Sequence, residues 1–133
     1  MSFKFKIILF ILLIISFLGY SSILYLSTPP QSNKPDQKAQ LGRELWQQKN
    51  CTSCHQLYGL GGHLGPDLTN VYGIRSEAYI KAFLESGTTV MPNYNLSPDE
   101  MESLIAFLKY TNSTGISDPR SFKLHLDGTI SQP

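Results

Sequence analysis

Cysteine is nearly absent from this chain. Of its 133 residues only Cys51 and Cys54 are cysteines, and both fall within one five-residue run. No disulfide framework is therefore left to staple a small exported fold. Charge is scarce too: 16% of the residues are charged and the formal net charge is +1. A balance so close to neutral leaves no electrostatic footprint for nucleic acid, and no nucleic-acid partner is expected; local patches for a protein partner remain open. A Walker-type phosphate loop is missing, and no strand precedes the glycine-rich stretch at residues 59–65. The length allows one small domain plus attachments, not two full domains. Without disulfides, so small a domain needs another source of core.

What the chain does have is Cys51-Thr52-Ser53-Cys54-His55. A C-x-x-C-H run reads as a covalent c-type haem attachment site. Two thiols three apart can add to the two vinyl groups of one porphyrin. The imidazole directly after the second cysteine is then placed to ligate the iron. The rival readings are a thioredoxin-like redox pair, a structural disulfide and half of a zinc site. Zinc lacks a third cysteine and has only His63 and His125 as further imidazoles, and thioredoxin-like chemistry lacks its βαβ context. A covalently held, mostly apolar cofactor would also supply the missing core.

The twenty residues from Ile7 to Leu26 carry no charge. As a helix rising about 1.5 Å per residue they span roughly 30 Å, about one hydrocarbon core, and only a helix satisfies its own backbone there. Lys4 and Lys6 precede the run, and no basic residue follows it before Lys34. The positive-inside rule then puts the N-terminus in the cytoplasm and the rest outside. That predicts a single-pass protein of the bacterial inner (plasma) membrane, in contact with membrane lipid, with a periplasmic haem domain. A cleaved signal peptide is the rival, but the run is long and only Ser21-Ser22 offers a weak cleavage site. Residues 27–40 are polar, with Pro29, Pro30 and Pro35, and read as a semi-stiff linker. The expected organisation is an anchor at 1–26, a linker at 27–40, a haem domain at 41–115 and a tail at 116–133.

Within the domain, Leu41–Lys49 is helix-like, with Leu41, Leu45 and Gln48 on one face and Trp46 beside it as a core aromatic. Gly42 costs helix propensity there, and close crossing by another helix is the expected offset. After His55, Gly59, Gly61, Gly62 and Gly65 forbid a stable helix and predict a closely wrapped loop. A metal-bound histidine gives its second ring N–H to a carboxylate or backbone carbonyl. The Pro66 carbonyl is a candidate acceptor for His55; otherwise Gly65-Pro66 is only a turn. Leu57, Leu64 and Leu68 are expected against the ring edge. Ser76 to Ser86 reads as a helix capped by Ser76 and stopped by Gly87, and Arg75 beside it is a candidate propionate partner or an ordinary surface cation. Ser97-Pro98-Asp99-Glu100 is a capping box that opens a last helix, with Met101, Leu104, Ile105 and Leu108 on its apolar face. That face is expected to cross the Gly42–Trp46 helix.

Met91 lies 36 residues after His55, in a loop with Pro92 behind it. A thioether suits haem iron and raises its potential. Met1 is the start and Met101 lies on a core face, so Met91 is the expected sixth ligand. His63 competes, but sits only eight residues from His55 and would need a tight detour to the other face.

Helix, C-x-x-C-H, glycine-rich loop with Gly-Pro, late methionine and closing helix together resemble a class I cytochrome c. The stretches GRELWQQKNCTSCHQLYGLGGHLGPDLTNVY and VMPNYNLSPDEMESLIAFLKYT further resemble the membrane-anchored cytochrome c subunit of bacterial nitric oxide reductase (NorC-like), over residues 41–112. The resemblance implies an all-α fold: a class I cytochrome c-like haem domain with one N-terminal transmembrane helix. It implies one covalent haem c, attached through Cys51 and Cys54 and ligated by His55 and Met91. No residue is expected to act as a catalytic acid, base or nucleophile. The implied partner is a large polytopic haem–copper-type subunit (NorB-like), which reduces NO. The implied donor is a soluble cytochrome c or a cupredoxin. The chain departs from the family at His63, where tyrosine is common, at Gly65, where alanine is common, and in its tail. Alternatives are a haem c subunit of an oxygen-reducing haem–copper oxidase, a free membrane-tethered shuttle and a haem-based sensor.

Overall fold

The computed structural model describes residues 2–27 and 34–132. The chain divides into two compact units, Met1–Lys34 and Pro35–Pro133. In the first, helix α1 runs over Phe3–Ser27, 25 residues with none buried. At about 1.5 Å per residue it reaches roughly 37 Å, beyond the roughly 30 Å of a hydrocarbon core. Its apolar side chains point outward all round, as expected of a helix whose solvent is lipid. The fold is mostly helical with one membrane-spanning N-terminal helix. Pro29 and Pro30 of the expected linker lie outside the described residues.

The second unit opens with α2, Gln37–Gln48, which begins inside the expected linker. The reason is local: the Ala39 amide donates to the Asp36 carboxylate at 2.7 Å, a side-chain cap that starts the helix early. A single tight turn at Cys51–Ser53 follows, then the pair β1 (Gln56–Leu57) and β2 (Leu60–Gly61), antiparallel with Leu57 opposite Leu60. Helix α3 (Val71–Ile74) is a single turn that sequence periodicity did not announce. Helix α4 (Glu77–Ser86) is capped by Ser76 and stopped at Gly87, as expected. Helix α5 (Pro98–Asn112) carries the complete capping box: Ser97 accepts from the Glu100 amide, and the Glu100 carboxylate accepts from the Ser97 amide. Beyond it the tail forms a turn at Pro119–Ser121 and an antiparallel pair, β3 (Lys123–Leu124) with β4 (Ile130–Ser131).

The core sits where α2 crosses α5. Leu45, Trp46, Leu104, Ile105, Phe107 and Leu108 are buried there, joined by Ile80 from α4. Gly42 is at the crossing. A Cβ on it would run into the Ser103 carbonyl and come within 2.8 Å of the Phe107 Cβ, so only glycine lets the two backbones approach. The buried stripe of α2 is consequently Ala39, Gly42, Leu45 and Trp46. Leu41, expected inward, is half exposed because the stripe is centred on Gly42 rather than beside it. The start of the tail is tied to the domain through Asn70. Its side-chain amide donates to the Gly115 carbonyl at 2.8 Å, and its side-chain carbonyl accepts from the Ser117 amide at 2.9 Å.

Candidate haem site

One cavity of about 470 Å³ opens in the second unit. Volumes of roughly 300–1,000 Å³ are usual for cofactor sites. Its wall brings together Cys51, Cys54, His55, Pro66 and Met91, the attachment cysteines, the candidate iron ligands and the proposed imidazole acceptor. Leu64 and Leu68 are also on the wall, while Leu57 packs on the core cluster instead. His63 is not on the wall; its Nδ1 accepts from the Gln56 amide at 2.6 Å.

The two cysteines arrive by simple means. α2 ends at Gln48, Asn50 takes a left-handed conformation (φ 53°), and the tight turn then lifts Cys51 and Cys54 onto the wall. Burial pushes the Cys51 thiol above its ordinary value, against a smaller opposing pull from its own backbone hydrogen bond. Such a thiol stays protonated at neutral pH, unlike the depressed thiolates of redox-active pairs. His55 is fixed from its rear: its Nδ1–H donates to the Pro66 carbonyl at 2.9 Å. That tautomer leaves the lone pair on Nε2, the nitrogen free to bind a metal. Among the described residues no group of three His, Cys, Asp or Glu side chains is assembled, so a zinc site finds no ligand set there.

Other wall residues read in the sequence only as helix faces, core or surface, and Tyr94 is not singled out there at all. Tyr79 and Phe83 face the cavity from α4 with their ring centres 4.8 Å apart, and the Arg75 guanidinium lies 5.1 Å from the Tyr79 ring centre. Tyr94 sits near both cysteines, and burial, with their charge added, raises its hydroxyl above the ordinary value. Trp46 is buried on the wall between Phe107 and His55, and its Nε1–H has no acceptor among the described residues. An apolar cavity of this size, with a paired thiol turn, a tautomer-fixed imidazole, a thioether and an orphaned N–H, fits a haem.

Comparison with known proteins decides the family. A family model described as cytochrome C oxidase, cbb3-type, subunit III matches residues 37–108. A nitric oxide reductase subunit of the NorC kind, from Stutzerimonas stutzeri, is 30% identical over 115 residues, covering 77% of this chain and 79% of the relative. The chain belongs to this family of cbb3-type subunit III and NorC-like cytochromes. The corresponding nitric oxide reductase subunit of Halomonas halodenitrificans is 33% identical over 91 residues, 58% of this chain and 59% of that protein. A cytochrome c-553-like protein of Synechocystis is 38% identical over 72 residues, 53% of this chain and 67% of its own. As in this cytochrome family, the Cys51–Cys54 spacing is that of c-type haem attachment. The chain is thus a small, membrane-anchored, non-catalytic electron carrier of the cytochrome c type.

Proposed function

We propose that this chain is the electron-receiving cytochrome c subunit of a nitric oxide reductase. The observation that carries the reading is the convergence of Cys51, Cys54, His55 and Met91 on one apolar wall, in a chain that also has a membrane-spanning helix. In this reading Cys51 and Cys54 hold one haem c. Each S–H adds across a vinyl C=C, forming a C–S bond and leaving the hydrogen on the neighbouring carbon. His55 and Met91 are the iron ligands, and Pro66 holds the His55 ring in its binding tautomer. The haem supplies reversible one-electron chemistry. The chain's own residues orient it and shield it from water. With Lys4 and Lys6 on the cytoplasmic side and α1 retained, residues 35–133 face the periplasm.

The partner would be a large polytopic haem–copper-type subunit, and the donor a soluble cytochrome c or cupredoxin. The names of the Stutzerimonas and Halomonas relatives support nitric oxide as the terminal substrate. A second reading, the same role in an oxygen-reducing complex, is favoured by the description of the matching family model. Purification in mild detergent tests both. The expected result is one covalent haem per chain and a co-purifying polytopic subunit, with the complex consuming NO. Oxygen consumption alone would move the assignment to the oxidase. A haem-loaded chain without a partner would make it a tethered shuttle.

A further inference from the structure

The loop that carries Met91 is fastened far more tightly than its position on the surface requires. Thr88 brackets it from both sides: the Met91 amide donates to the Thr88 hydroxyl at 2.9 Å, and the Thr88 amide donates to the Met91 carbonyl at 2.8 Å. The Val90 amide donates to the same hydroxyl at 3.3 Å. Just beyond, the Asn93 side-chain amide donates to the Glu85 carbonyl in the last turn of α4 at 2.8 Å, and its side-chain carbonyl accepts from the Asn95 amide at 2.7 Å. Behind the bracket, Gly87 has φ 65°, and a Cβ there would come within 2.7 Å of the Met91 carbonyl oxygen. The Met91 backbone is thus clamped to the end of α4, while Met91 itself lines the cavity. Thr88 and Asn93 are both exposed, so their hydrogen bonds do little for the core. They fix where one side chain begins.

We infer that Thr88 is a positioning residue for Met91, setting how strongly the thioether competes for the iron against other ligands. The inference rests on the reading of Met91 as an iron ligand. A thioether is a weak donor, and its bond to iron survives competition from water, hydroxide or an amine only if the sulfur is already held near its place. Locking the loop backbone removes most of the ordering entropy that Met91 would otherwise lose on binding. A loop released from its bracket binds with the same sulfur but from more starting positions, and ligand exchange becomes easier.

The test uses the full-length, haem-loaded protein in detergent and follows the long-wavelength charge-transfer band of ferric iron bound to thioether sulfur as pH is raised. Thr88→Val keeps the shape and removes the acceptor; Thr88→Ser restores it; Met91→Leu removes the sulfur. With one neutral hydrogen-bond acceptor lost, Thr88→Val is expected to move the midpoint for loss of the band toward lower pH. The shift should correspond to about a fivefold gain of the methionine-free form. Thr88→Ser should titrate like the unaltered chain, and all three should keep the same far-ultraviolet circular dichroism. A Thr88→Val midpoint equal to that of the unaltered chain, with the band present in both and lost in Met91→Leu, overturns the inference alone. A band that persists in Met91→Leu, or is absent from the unaltered chain, overturns the ligand assignment itself.

Discussion

The imidazole Nδ1 of His55 lies 2.9 Å from the carbonyl oxygen of Pro66. The residue before that proline leaves room for the ring: a Cβ on Gly65 would stand 2.5 Å from His55 Cε1 and 2.6 Å from its Nδ1. Loop backbone and imidazole are therefore packed closely in this chain, and a Cβ at this position, such as that of the alanine common in the family, requires the ring or the loop to shift.

Gly65→Ala is expected to push the ring outward and lengthen its bond to Pro66. A histidine with a weaker acceptor behind it is a poorer donor to iron, and the ferric state loses more than the ferrous one. The reduction potential should rise by about 20–60 mV, up to tenfold in a one-electron equilibrium. Potentiometric titration of the haem-loaded protein measures it. An unchanged potential would mean that the Pro66 contact does not tune the iron.

Met91→Ala should remove the charge-transfer band of thioether ligation and lower the potential on the order of 100 mV, because methionine raises the potential of histidine-ligated haem. It should also open the iron to added carbon monoxide. With His55 and Met91 both bound to the iron, as proposed, the unaltered protein should bind carbon monoxide poorly. Rapid binding there would favour a sensor over a carrier.

Gly42→Ala sets two effects of opposite sign against each other. Alanine improves helix propensity by about 1 kcal/mol. Its methyl group, however, would strike the Ser103 carbonyl, a backbone group that cannot swing aside. Overpacking of that kind costs about 1–3 kcal/mol, and a backbone contact belongs at the upper end. The net loss should be roughly 2 kcal/mol, or about 10 °C in melting temperature for a domain this small. Thermal unfolding followed by circular dichroism checks it, and a more stable variant would mean that α2 and α5 do not cross there.

These features differ in how far the sequence disclosed them. The haem motif and the Ser97–Glu100 box were legible because each is carried by neighbours in the chain, whose chemistry does not depend on the fold. The Pro66 carbonyl was legible for another reason: a ligating imidazole needs an acceptor, and the loop offered a suitable one. Leu41 was misplaced because periodicity finds an apolar stripe, but the partner helix chooses its centre, here Gly42. The start of α2 was hidden in Asp36, whose carboxylate caps a helix that apolar spacing alone would begin later. The one-turn α3 and the β3–β4 pair span four and two residues per element, too short for any period. The neighbouring tail is held by long-range bonds, such as that of Asn70 to Gly115. Thr88 carried no signal at all, since its role exists only once the loop has closed on Met91.

The capping box of α5 makes stability depend on pH in a defined direction. The Glu100 carboxylate accepts from the Ser97 amide, and this hydrogen bond holds its pKa below the ordinary value of 4.5. A depressed carboxylate pKa means that the folded state prefers the ionised form. The contribution is therefore complete above about pH 4.5 and is lost as the pH falls through the lower folded value. Glu100→Gln keeps an oxygen that can accept from Ser97 but cannot ionise, so its cap is weaker at neutral pH and indifferent to acid. Melting temperatures of the two proteins should differ at pH 7 and converge as the pH is lowered below 4.5. A gap that stays constant from neutral to acid pH would show that the charge of Glu100 adds nothing to the cap.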